Sequence, residues 1–176
     1  MWSNRKVVLI GPMGAGKTSL GRRLADTIGW QFIDTDQKIC QRTGVDIPTI
    51  FDREGEGGFR RRESEVLAEV LSFSGDWVVA CGGGIVLKKT NRQLISKQFL
   101  VIFLDVSIPR QLQRVGNDKN RPLINMVDKE AQLKRLSDER LGLYEGLADV
   151  RINTDNNNFS QSFKKLVKAL KKQCGF

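Results

Sequence analysis

Three observations predict an α/β chain in three layers, a five-stranded parallel sheet with helices on both faces. Short apolar runs alternate along the chain with segments of helical period. Those runs are continuously apolar, as strands buried on both faces must be, and do not alternate in and out. The first run also leads into a glycine-rich turn that opens a helix, the strand–turn–helix order of a parallel unit.

The elements follow in order. Residues 7–10 (VVLI) form the first strand, and "GPMGAGKT" is the turn after it. Residues 17–28 form a helix with Leu20, Leu24 and Ile28 on one face, and Gly29 ends it. Residues 31–33 are the second strand. A helix over 36–43 starts on Asp36 as its capping residue and stops at Gly44. Two separate helices are expected over about 46–52 and 58–72. Strands follow at 78–80, 99–104 and 150–152, and helices at 107–115, 129–144 and 160–172. In the last helix Phe163, Leu166, Val167 and Leu170 have core spacing, while Lys164, Lys165, Lys168, Lys171 and Lys172 make a solvated basic face. The whole chain, 1–176, is expected to be a single domain, with no repeat and no linker.

Composition narrows the function. There are no histidines, which removes histidine bases and most zinc sites. The three cysteines Cys40, Cys81 and Cys174 are far apart and fit neither a disulfide framework nor a metal site. No apolar run approaches bilayer length, and Met1-Trp2-Ser3-Asn4-Arg5-Lys6 leads straight into a strand. A cytoplasmic protein without membrane contact is expected. The net charge of +9 is scattered, and Trp2, Trp30, Trp77 and Tyr144 sit in no RNA-binding motif, so anionic small ligands fit better than nucleic acid.

"GPMGAGKT" matches G-x-x-x-x-G-K-[ST] through Gly11, Gly16, Lys17 and Thr18. Its glycines let successive N–H groups wrap a polyphosphate, and the helix N-terminus adds partial positive charge. Lys17 is expected to reach the terminal phosphates and Thr18 to ligate Mg²⁺. A nucleotide is therefore the expected ligand, whether as substrate, switch or energy source.

The second half of a site lies further on. Asp34-Thr35-Asp36 follows the second strand at the carboxyl edge of the sheet, where ligands bind in such folds. One aspartate can face a metal while the other starts a helix. In "GGFRRRESEVLAEVL" the apolar sector of Phe59, Val66, Leu67, Val70 and Leu71 includes Arg60 and Glu63 but excludes Arg61 and Arg62. Arg60 and Glu63 are then either an internal ion pair or a carboxylate-binding arginine oriented by its neighbour. The helix over 129–144 repeats the signal. Leu133, Leu136, Leu141, Leu143 and Tyr144 define its inner face, Arg140 lies within that face and Arg135 lies opposite. Two inward arginines make a carboxylate fork. The polar stretch "GNDKNRPLINMVD", 116–128, has the composition of a lid, with Arg121 beside Pro122; a surface loop is the alternative. A second glycine run, Gly82, Gly83 and Gly84, follows the third strand.

This combination resembles the shikimate kinase family. The resemblance rests on "GPMGAGKT", "DTD" (34–36), "FRRRE" (59–63), "GGG" (82–84), "RPL" (121–123) and "ERLGLY" (139–144), and it spans nearly the whole chain. It implies the P-loop kinase fold of the nucleoside monophosphate kinases, with a lid at about 116–128 and an acceptor region at about 35–63. It implies ATP-dependent phosphorylation of the 3-hydroxyl of shikimate, on the route to chorismate and the aromatic amino acids. Carried onto this sequence, Lys17 and the loop from Gly14, Ala15 and Gly16 to Thr18 and Ser19 hold the phosphates. Thr18 and Asp34 serve Mg²⁺. Asp36 binds the shikimate hydroxyls, and Arg60 and Arg140 its carboxylate. Gly82, Gly83 and Gly84 let the acceptor approach the backbone, with the Gly83 N–H bonding it. Arg121 is the lid arginine, and Arg114 flanks the adenine. A monomer is expected. Gly142 stands where the family often has proline and is expected to loosen the helix end. Alternative readings are a kinase for gluconate or a nucleoside monophosphate, and an inactive ATP-binding regulatory module.

Overall fold

A computed structural model of the chain describes residues 4–115, 128–155 and 158–174. Five strands form one sheet: β1 (Lys6–Ile10), β2 (Gln31–Asp34), β3 (Trp77–Ala80), β4 (Leu100–Asp105) and β5 (Val150–Asn153). Their order is β2-β3-β1-β4-β5, and every pairing is parallel. The helices are α1 (Lys17–Ile28), α2 (Thr35–Thr43), α3 (Ile47–Ser72), α4 (Lys89–Ile95), α5 (Ile108–Val115), α6 (Lys129–Leu147) and α7 (Phe159–Cys174). The fold is the α/β three-layer arrangement that the alternation of runs predicts.

The two-residue period of the strands divides the core. Val8 and Ile10 of β1 face one layer with Val79, Val101 and Phe103, where Ile50, Phe59, Val66 and Leu67 of α3 and Tyr144 of α6 pack. Val7 and Leu9 face the other with Val78, Ile102 and Leu104, against Leu20 and Leu24 of α1 and Leu166 and Leu170 of α7. All five β1 residues are buried, so its run reads as uniformly apolar apart from Lys6. Lys6 is 1% exposed, and its Nζ donates to Asn4 Oδ1 and to the carbonyls of Phe73 and Gly75 at 2.7–2.8 Å. Burial pushes its pKa down, and Asp76 pulls it back. Three acceptors satisfy the three ammonium protons, so this buried cation ties the sheet to the turn after α3.

Several expected boundaries move. α2 begins at Thr35, and its N-cap is Asp34, not Asp36: Asp34 Oδ1 accepts from the N–H groups of Asp36 and Gln37 at 3.0 and 3.1 Å. The segments expected as two helices run together as α3, with one break at Gly55 (φ 68°, ψ 179°). α6 continues through Gly142 to Leu147, so that glycine does not loosen the end of the helix. α4 has no counterpart in the sequence reading. It is seven residues long, polar, and starts without a side-chain cap.

Gly55 takes a backbone conformation that other residues adopt only under strain, and a methyl group there would meet nothing within 4 Å. Replacing it with alanine therefore tests the backbone alone. Gly55→Ala is expected to cost about 1–3 kcal/mol. The check is urea unfolding of both proteins; equal stability would mean that the break persists without glycine.

Candidate active site

The phosphate loop leaves β1 at the centre of the sheet. Gly11 has φ 141°, and a Cβ there would lie 2.2 Å from the Leu104 carbonyl oxygen. Only glycine lets the chain leave the strand this way. α1 starts after Gly16, itself at φ 89°, and no side chain caps it. Its first N–H groups are left for an external acceptor, as a phosphate-binding helix requires. Lys17 Nζ folds back on the loop, donating to the carbonyls of Gly11 and Pro12 at 2.8 Å each.

Thr18, one turn into the site, donates its hydroxyl to Asp34 Oδ2 at 2.5 Å. Both Asp34 oxygens are thus engaged, Oδ1 in capping α2 and Oδ2 in orienting Thr18. The Thr18 proton points at Asp34, so the lone pairs of its oxygen are turned elsewhere. Asp36 is left out of the cap and lines a cleft of about 270 Å³ with Gly14, Gly16, Lys17, Thr18, Ser19, Asp34, Gly82, Gly83 and Arg114. Ala15 is buried beneath the loop at 1% exposure, so it offers backbone rather than side chain.

Both inward arginines of the sequence reading are buried: Arg60 is 8% exposed and Arg140 4%, while Arg61 and Arg135 are exposed. Arg60 Nη1 donates to Glu63 Oε2 at 2.8 Å, and Nη2 donates to Glu56 Oε1 at 3.2 Å. Glu63 is 1% exposed. Burial pushes the Glu63 carboxyl above its usual range, and Arg60 offsets only part of that. Burial opposes the charge on Arg60 too, but Glu63 and Glu56 together hold its pKa above the ordinary value.

The glycine run packs between these groups. A methyl on Gly84 would lie 2.1 Å from Arg60 Nη1, and one on Gly82 would lie 2.6 Å from Asp36 Oδ1 and 2.9 Å from Glu63 Oε1. On Gly83 it would meet Arg140 Nη1 and the Tyr144 hydroxyl at 3.6 Å. None of the three has a left-handed backbone, so close approach, not φ, demands glycine at 82 and 84, while a methyl on Gly83 would make only ordinary van der Waals contacts.

Three supports of this loop escaped the sequence reading. Tyr144 Oη donates to the Gly83 carbonyl at 2.5 Å, and its ring stacks on Phe103. Burial pushes this phenol up to about 12, so it keeps its proton. Thr35, fully buried, accepts from the Gly82 N–H at 3.2 Å. α4 holds the far end: Asn91 Nδ2 donates to the Ile85 carbonyl, and Arg92 Nη1 to those of Val86 and Leu87. Tyr144 was legible only as a core residue, and α4 gave no apolar period to find. Cys81 is buried beside the site, and burial pushes its thiol up, so it is no nucleophile.

Arg114 bridges the phosphate loop to the segment after β5. Its Nη1 donates to the Gly14 carbonyl at 2.7 Å and its Nη2 to the Thr154 carbonyl at 3.1 Å. Arg121 and residues 116–127 of the expected lid lie outside the described residues; Asp128, at the lid's far end, caps α6 by accepting from Ala131 N–H at 2.9 Å.

A family model described as "Shikimate kinase" matches residues 13–171. The chain belongs to the shikimate kinase family. A shikimate kinase of Shewanella amazonensis is 43% identical over the full length of both chains. One from Stenotrophomonas maltophilia is 48% identical over 149 residues, 85% of this chain and 82% of its own. Among solved structures, the shikimate kinase of Acinetobacter baumannii, in complex with shikimate, superposes with a TM-score of 0.91 at 39% identity, covering 96% of this chain and 93% of that one. A deoxyadenosine kinase of M. mycoides, at 12% identity and a TM-score of 0.61, shares the fold alone. Among the described residues, no helix is long and apolar enough to cross a membrane.

Proposed function

We propose that this chain, acting as one kinase domain, transfers the γ-phosphoryl group of ATP to the 3-hydroxyl of shikimate, giving shikimate 3-phosphate and ADP for aromatic amino acid biosynthesis. Family membership supports the reaction. One observation carries the assignment of parts: Asp36 and the Gly82–Gly83 backbone line the same cleft as the phosphate loop, and the buried arginines Arg60 and Arg140 stand directly behind that glycine run.

Phosphoryl transfer needs positioning and charge stabilisation more than covalent chemistry. The loop amides from Gly14 to Ser19 take the phosphates, and Lys17 exchanges two carbonyl partners for phosphate oxygens. Arg114, already against Gly14, flanks the adenine. Arg60 and Arg140 hold the carboxylate of the acceptor, the Gly83 N–H donates to its ring substituents, and Asp36 orients its reacting hydroxyl. Arg121 stabilises charge on the transferring group.

The residues fit a magnesium ion. Thr18 Oγ and Asp34 are hard oxygen donors held in contact beside the phosphate loop. Among the described residues no cluster of three carboxylates exists, and Mg²⁺ bound with nucleotide phosphates needs only one or two. Thr18 would ligate it directly and Asp34 through water; bound there, it supplies charge neutralisation at the phosphates. We further propose that the protein works as a cytoplasmic monomer.

The test is ADP release with ATP and Mg²⁺, comparing shikimate with quinate, gluconate and nucleoside monophosphates. Turnover is expected with shikimate. Activity with another acceptor alone would keep the fold and discard the acceptor assignments, and silence with all would favour a non-catalytic module.

Gly84→Ala probes the acceptor side without removing a charged group. The methyl would enter the space of the Arg60 guanidinium, which must shift. If Arg60 binds the carboxylate, loss of that charge-assisted contact is expected to raise the KM for shikimate roughly 10-fold or more, with the KM for ATP near wild type. An unaltered shikimate KM would separate Arg60 from the acceptor.

A further inference from the structure

Arg60 has two hydrogen-bonding edges, and they are filled unequally. Nη1 is taken by Glu63, which is buried and fixed one turn along α3. Nη2 and Nε share the other edge. There Nη2 donates to Glu56 at 3.2 Å, while Nε is buried and has no hydrogen-bond partner among the described residues. A carboxylate set squarely on this edge accepts from both nitrogens at once. Glu56 meets only one of them.

The two glutamates differ in freedom. The Glu63 side chain is 1% exposed; that of Glu56 is 51% exposed and free to turn to solvent. Glu56 is also the first residue after the break at Gly55, where a side chain would meet nothing within 4 Å. A buried N–H left unmet is costly, so the edge is built for a better ligand than the one it holds.

We propose that Glu56 is a specificity-determining residue: its carboxylate rests on the Nη2 side of Arg60 as an internal competitor, and an acceptor's carboxylate displaces it by taking Nε and Nη2 together. The inference rests on the reading of Arg60 as the acceptor's carboxylate site. An acceptor without a carboxylate cannot complete the edge and leaves Glu56 in place. The glutamate thus lowers affinity for the correct acceptor somewhat, and in exchange it occupies the arginine against polyols and water. Specificity of this kind is a difference between two affinities, set partly by what a wrong ligand cannot displace.

The test is equilibrium binding of shikimate and of its methyl ester, without nucleotide, to the full chain and to its Glu56→Gln and Glu56→Ala variants. Both variants are expected to bind shikimate three- to tenfold more tightly, with the gain appearing in Kd. The ester is expected to show no gain. In the wild type, the Arg60 Nε–H resonance should shift on adding shikimate and stay still with the ester. Shikimate bound no more tightly by either variant, with a wild type that prefers the acid to the ester, would overturn the role of Glu56 alone. A wild type that binds acid and ester alike would overturn the carboxylate reading of Arg60 itself. Two variants of different shape guard against a folding artefact, and thermal unfolding of each confirms the fold.

Discussion

Asp36→Asn is expected to lower kcat at least ~100-fold, the usual scale for a group that handles the proton of a reacting hydroxyl. The substitution keeps size and leaves the cap of α2 untouched, because Asp34 does the capping. Shikimate should still bind, since Arg60 and Arg140 are intact. An alcohol is a far weaker acid than a carboxylic acid, so a carboxylate is a poor base for the ground state. Its contribution lies in orienting the hydroxyl and receiving the proton late in a loose transition state. Steady-state ADP release, with shikimate binding measured separately, distinguishes the outcomes. A kcat within tenfold of wild type would remove Asp36 from the reacting hydroxyl.

Arg140→Met is expected to raise the KM for shikimate by roughly 10- to 150-fold. That range corresponds to ~1.5–3 kcal/mol for a charge-assisted hydrogen bond. Arg140 is a cleaner probe than Arg60. Removing Arg60 leaves Glu63, 1% exposed, without its 2.8 Å partner, and an uncompensated buried carboxylate destabilises the fold by itself. Arg140 contacts Glu139, 3.5 Å away and about half exposed, and its charge acts on the buried Glu63 less than that of Arg60, so its loss leaves Glu63 with its 2.8 Å partner. The effect should fall on KM more than on kcat, because the carboxylate is remote from the transferring phosphoryl group. The methyl ester of shikimate supplies the control: its KM should respond little to the substitution. Equal losses for acid and ester would mean that Arg140 supports the site without meeting the carboxylate.

The two glycine runs answer to different constraints. The first needs glycine because Gly11 and Gly16 have left-handed or strained backbones and face a phosphate-binding cradle. The second has ordinary backbones and needs glycine at 84 and 82, because the guanidinium of Arg60 and the carboxylates of Asp36 and Glu63 fill the space of a side chain there. The sequence placed the second run after the third strand but did not reveal the side chains that crowd it.

By itself, the sequence determined the layers, the strand positions and the phosphate-loop motif. Those rest on local signals. Continuously apolar runs mark buried strands, a fixed spacing marks the phosphate loop, and the helical period sorts Arg60 from Arg61 and Arg140 from Arg135. The shared role of Asp34 and Asp36 was not local. Either could cap α2, and the choice follows from Thr18, sixteen residues back, reaching Asp34 and no other. Nor could spacing reveal Tyr144 on the Gly83 carbonyl, 61 residues apart, or the polar helix α4 that bonds the end of the glycine loop. Such contacts arise only when the sheet brings its carboxyl edges together, because each is decided by partners that sequence distance hides.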